Sequence, residues 1–143
     1  MKLILLIALI LTTTASNSQK KPNPVFNVMA FTDVPKYMEL CGENLFLNKQ
    51  DEKSRKFICY TDYSQILICI NSKLIMLNTK DGSLKNHTRS FFNKDYTMVI
   101  KYDPLKPINA ENYIVTGAII TIKYHSKIIW TKSVIGGGHC GTP

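Results

Sequence analysis

The feature that most limits what this chain can become is the brevity of its apolar runs. They are rich in Ile, Val, Tyr, Phe and Thr, and Asn, Asp, Gly, Ser or Pro cut them every few residues. β-Branched and aromatic side chains suit a pleated, half-buried surface, and the interrupting residues suit turns, so the chain reads as strand after strand with almost no helical periodicity. Candidate strands are 25–31, fenced by Pro22, Pro24 and Pro35, then 44–47, 57–61, 65–70, 74–78, 96–102, 113–124 and 128–135. Residues 49–56 between them are charged and have no apolar side. Asn71-Ser72-Lys73, Asp81-Gly82 and His125-Ser126-Lys127 carry turn signals that would join neighbouring strands into hairpins. The expected fold class is all-β, a disulfide-stapled antiparallel β-sandwich of immunoglobulin-like type; a closed barrel is the rival that the same pattern allows.

The first residues belong to a different kind of segment. Met1-Lys2 gives a positive start, residues 3–11 are an unbroken apolar run, and residues 12–18 are small and polar. That order describes a secretory signal peptide, and the run is far shorter than the roughly 20 residues that span a bilayer as a helix. The expected organisation is a signal peptide over residues 1–18 and a single secreted, extracellular β domain over residues 19–143 with no transmembrane anchor.

Secretion changes how the cysteines are read, because an oxidising compartment favours bridges. Cys41, Cys59, Cys69 and Cys140 allow three pairings. A hairpin centred near Ser64 would set Cys59 opposite Cys69, leaving Cys41 to pair with Cys140. The chain lacks a CxxC pair and His139 sits directly beside Cys140, a poor arrangement for chelation, so neither a metal nor a cofactor is expected.

Without Lys2 the chain holds 17 basic against 10 acidic residues. Beyond Pro104 the acid Glu111 stands against Lys106, Lys123, Lys127 and Lys132, so the last strands would present a positive face toward anionic surfaces, or carry lysines that keep strand edges from pairing. Asn86-His87-Thr88 meets the N-glycosylation pattern in a polar, turn-rich stretch. Phe91, Phe92 and Trp130 read as core, and Gly136-Gly137-Gly138 as a flexible lead into Cys140. No nucleophile is placed beside a base, so no catalytic residue is assigned; His125, His139 and Lys127 are the groups from which a basic nuclease-like toxin could be built.

"NKDYTMVIKYDPLKPINAENYIVTGAIITIKYHSKIIW", residues 93–130 of a stretch reaching roughly to Ile135, runs aromatic strand, Pro-containing connection, then a Tyr-started strand pair about a short polar turn. In this the chain resembles the ML lipid-recognition family, and the resemblance implies a secreted β-sandwich holding a lipid between its sheets. The chain departs from the pattern where Trp130 replaces an expected cysteine and where Cys140 follows the final strand. Walls of such a cavity would draw on Ile66, Ile68, Leu74, Met76, Val99, Ile120 and Ile122. The expected function is therefore a secreted non-enzymatic binding protein for a lipid or other apolar ligand. Its alternatives are an extracellular module binding proteins or glycans, and the nuclease-like toxin.

Overall fold

The computed structural model describes residues 24–38, 41–79 and 84–140; the expected signal peptide lies outside them. In chain order the elements are β1 (Val28–Met29), a 3-10 turn (Lys36–Met38), β2 (Cys41–Phe46), α1 (Lys49–Lys53), β3 (Cys59–Thr61), β4 (Gln65–Ile70), β5 (Lys73–Asn78), β6 (Thr88–Phe92), β7 (Tyr96–Tyr102), β8 (Lys106–Pro107), β9 (Tyr113–Tyr124) and β10 (Lys127–Cys140). Apart from the short β1 and β8, each strand pairs antiparallel with the next in sequence, and β10 returns to pair with β2. Eight strands therefore close into an up-and-down barrel. The expected sandwich is replaced by its rival, because six residue pairs along β2–β10 join what would otherwise be two open edges. Among the described residues no helix is long and apolar enough to cross a membrane.

Local chemistry explains the tight corners. Three hairpins turn on two residues each in the left-handed region, Asn71-Ser72, Asn86-His87 and His125-Ser126, between the paired residues Ile70 and Lys73, Lys85 and Thr88, and Tyr124 and Lys127. Such turns match the right-handed twist of the flanking strands, and Asn and His tolerate positive φ better than bulkier residues do. The charged stretch after β2 forms the single turn α1, capped by Asn48, whose side chain accepts from the amides of Gln50 and Asp51 at 2.9 and 3.0 Å.

Alternate residues point inward, and Leu45, Ile66, Ile68, Leu77, Phe91, Met98, Ile100, Ile120 and Ile122 fill the interior completely buried. At one end Phe26 stacks within 4.8 Å of Tyr124 and 6.4 Å of Tyr96, closing the barrel with aromatic rings. A second apolar layer lies outside the wall. Phe46, Phe57, Tyr60 and Leu67 face outward yet are buried, because the segment through Phe31, Val34 and Met38 packs across them. Phe31 is fastened to Phe57 by two backbone hydrogen bonds of 2.8 and 2.9 Å. This is why residues 66–70 read as a continuous apolar run: β4 is covered on both faces.

Cys41 and Cys140 are bridged across the β2–β10 seam. The second expected bridge is not formed, and Cys59 and Cys69 are buried thiols. The reason is register. Asp62 accepts from the amides of Ser64 and Gln65 at 3.0 and 2.7 Å, and this turn sets Cys59 opposite Ile68. A shift of one residue sends a side chain to the other face of a sheet, so Cys59 faces the core and Cys69 the outer side. The glycine run is corrected as well: Gly136, Gly137 and Gly138 belong to β10 and pair on both sides, with β2 and with β9.

Candidate functional site

Two features stand out against the packed barrel: a polar cluster inside one mouth and a groove outside the wall. The cluster begins with Glu43, which shares its inward parity with Leu45 on β2 and is completely buried. Burying a carboxylate is costly unless it is paired and hydrogen-bonded. Here Tyr102 of β7 donates to Oε1 and Tyr113 of β9 to Oε2, both at 2.5 Å, and the Arg89 guanidinium of β6 donates to Oε2 at 3.2 Å. The pairing register explains how Tyr113 reaches a residue two strands away. Gly138 lies between them in the same row, opposite Glu43 on one side and Tyr113 on the other. A Cβ on Gly138 would overlap the Tyr113 ring, so the absent side chain is the passage for the Tyr113–Glu43 bond.

Arg89 is further held under the ring of Tyr63, 4.7 Å from its centroid, and beside that of Tyr102 at 5.7 Å. Tyr63 itself sits at φ 71 in the β3–β4 turn, its hydroxyl donating to the Gly42 carbonyl at 3.2 Å. Burial opposes the charge of Arg89, but the oxygens of Tyr102, Glu43 and Tyr113 more than offset it and raise its pKa. The Nε of Arg89 is buried and has no hydrogen-bond partner among the described residues. The whole set spans the mouth from β2 to β6 as a brace. Cys59 beside it is kept as a thiol, its pKa raised by burial and then by the Glu43 charge.

Burial first, and then the charge and hydrogen bond of Glu43, push the Tyr102 and Tyr113 hydroxyls well above the ordinary phenol range. In the unfolded chain both ionise near pH 10, whereas in the fold they stay protonated. Above that pH the native state binds more protons than the unfolded state, so stability falls as pH rises. The stability these residues contribute is complete below about pH 10 and is lost at about 1.4 kcal/mol per pH unit for each. We expect alkaline unfolding to be steep, with both phenolates appearing in the ultraviolet spectrum together with the unfolding transition. Gradual, unfolding-independent titration of these two would show that the brace is open to solvent.

The groove lies on the outer face of the β2–β10–β9 wall and has a volume of about 900 Å³. Its floor includes Asn44, Phe46 and the glycine run, and its sides come from Val34, from Lys49, Glu52 and Arg55 around α1, and from Ile108 and Ile114. Glycines in β10 leave the floor without side-chain relief. Lys49 is engaged by Glu52 at 2.8 Å, while Arg55 takes part in no ion pair among the described residues. The side-chain oxygen of Asn44 is buried and has no hydrogen-bond partner among the described residues. A volume within the usual few hundred to 1,000 Å³ and a lining that mixes apolar side chains with a few polar groups are the attributes of a small-molecule site.

The residues expected to wall a cavity are divided by the fold. Ile66, Ile68, Ile120 and Ile122 are in the barrel core, whereas Leu74 is 48% exposed, Met76 joins the outer apolar layer and Val99 faces outward between Met98 and Ile100. His125 is at the exposed β9–β10 turn, with Nε2 3.6 Å from Asp95, and His139 lines the groove at the far end of β10. Extended strand puts these two on the order of 40 Å apart, so with Lys127 beside His125 they do not converge on one phosphodiester. Asn86 is exposed at its turn, with Thr88 Oγ1 donating to its carbonyl at 3.2 Å. Among the described residues no three His, Cys, Asp or Glu side chains come together as a metal site.

Glu43 and Arg89 were absent from the sequence reading. Extending the alternation of β2 back from Leu45 would have turned Glu43 inward, whereas Arg89 lies on β6, a strand whose polar first half hides it. Comparison with protein-family models, with curated proteins and with solved structures finds no match.

Proposed function

We propose that this chain is a secreted, non-enzymatic binding protein and that its ligand, a lipid or other small apolar molecule, occupies the outer groove and not the barrel. The observation that carries the reading is the groove itself, about 900 Å³, lined by Val34, Phe46, Ile108 and Ile114, with a buried Asn44 oxygen that has no hydrogen-bond partner among the described residues. A ligand inside the barrel would have to displace side chains that are already completely buried against one another. The signal-like residues 1–18, the Cys41–Cys140 bridge and the exposed Asn86 acceptor support an extracellular setting.

The test begins with protein secreted from eukaryotic cells, weighed native and then denatured without reduction. A mass excess that denaturation removes, beyond any glycan on Asn86, is the expected sign of a bound apolar molecule. After delipidation the neutral fluorophore N-phenyl-1-naphthylamine is expected to bind. Ile114→Asp in the groove should weaken that binding by at least about tenfold, because it places a charge where apolar contact is needed. Ile119→Asp, on the same strand but outside the groove, should leave it unchanged. Absence of both mass excess and probe binding would sink the reading.

The exposed side of the β9–β10 hairpin supports the second reading, a module that binds an extracellular protein or glycan. Ile119 and Ile128 are 48% and 59% exposed there, and among the described residues Lys127–Val134 pairs only with β9. Such a module would retain a macromolecule while excluding the fluorophore.

A further inference from the structure

We infer that the groove is built for an amphipathic organic carboxylate, its apolar body lying along the glycine floor and its carboxylate at Arg55; this rests on the binding function proposed above. The groove's charge balance carries the inference. Its ionic side chains are Lys49, Glu52, Arg55 and His139. Lys49 and Glu52 satisfy each other at 2.8 Å, which leaves the Arg55 guanidinium as the permanent cation of the lining with no ion-pair partner among the described residues.

The backbone around Arg55 is held by hydrogen bonds. Arg55 follows α1 at φ 50, its amide donates to the Glu52 carbonyl at 3.1 Å, and the next amide, of Lys56, donates to the Asp51 carbonyl at 2.8 Å. The backbone that carries the guanidinium is therefore locked at the edge of the groove by the helix end and does not drift with a loop. A guanidinium offers a planar fork of donors that a carboxylate meets with two parallel hydrogen bonds.

The rest of the lining includes the apolar Val34, Phe46, Ile108 and Ile114, and among the described residues it adds no carboxylate to Glu52. A neutral lipid would leave Arg55 without use, and a cationic amphiphile would meet repulsion from it. A carboxylate with an apolar tail uses both the cation and the apolar lining. The surrounding charge points the same way, since basic residues outnumber acidic ones 18 to 10 over the chain and would draw an anion toward it.

Dodecanoate and dodecanol, competing against N-phenyl-1-naphthylamine in the full secreted protein, separate the possibilities. Dodecanoate is expected to displace the probe at roughly fivefold to tenfold lower concentration than dodecanol. Arg55→Gln, an exposed substitution that should leave the fold intact, is expected to erase that preference. If the probe binds but dodecanol competes as well as dodecanoate, or if Arg55→Gln leaves the preference in place, the carboxylate inference fails and the binding function stands. If neither the probe nor either amphiphile binds, the binding function fails and this inference with it.

Discussion

Replacing both seam cysteines, Cys41→Ala together with Cys140→Ala, should lower the unfolding free energy by about 4–5 kcal/mol, a loss comparable with the whole net stability of many small domains. The bridge spans 99 residues of sequence, and a cross-link that long removes the most conformational freedom from the unfolded chain. Its position adds a structural consequence. Cys140 is the last residue of β10 paired with Cys41 at the start of β2, so the bridge fastens the seam that turns an open sheet into a barrel. Urea titration of the oxidised protein and the double variant measures the effect as a fall in midpoint at a similar or larger slope. A loss below about 1 kcal/mol would mean that the unfolded chain already holds its ends together, against the chain-entropy account. Alkylation of the denatured, unreduced protein should find two free thiols, Cys59 and Cys69.

Much of the strand content was legible because it depends on local chemistry. β4, β7 and β9 fall where the apolar runs place them, and the turns at Asn71 and His125 bend where the residues permit positive φ. Closure was not legible. Whether the last strand meets the first or stacks on it depends on accumulated twist and register, and those live in no single segment. Register defeated the Cys59–Cys69 pairing for a related reason: Asp62 and the hydrogen bonds of its turn shift the hairpin by one residue, enough to put the sulfurs on opposite faces. The glycine run misled because three glycines suggest freedom. In the fold each stands where a neighbour comes too close for a side chain, Gly136 against the Asn44 backbone and Gly138 against the Tyr113 ring. The groove was hidden because its residues come from distant parts of the chain, Val34, Arg55 and Ile114 among them, and each is unremarkable alone.

The mouth brace makes the strongest demand on a single side chain. Arg89→Met keeps most of the length and apolar stem of the side chain but leaves the fully buried Glu43 carboxylate with two neutral tyrosine donors and no opposing charge. Removing one member of a buried, hydrogen-bonded ion pair costs about 3–5 kcal/mol, most of it the penalty of the charge left behind. If that penalty is the cause, removing the charge as well should recover part of the loss. The double variant Arg89→Met/Glu43→Gln is therefore expected to be more stable than the two single effects added together, by about 1.5 kcal/mol or more. Additive losses would instead indicate that Arg89 acts through its packing beneath the Tyr63 and Tyr102 rings. Neither variant touches Arg55 or Ile114, so at temperatures where both remain folded the groove should bind N-phenyl-1-naphthylamine as before. A brace that also shapes the groove would act through Tyr113, which lines the groove and bonds Glu43, and binding would then fall with stability.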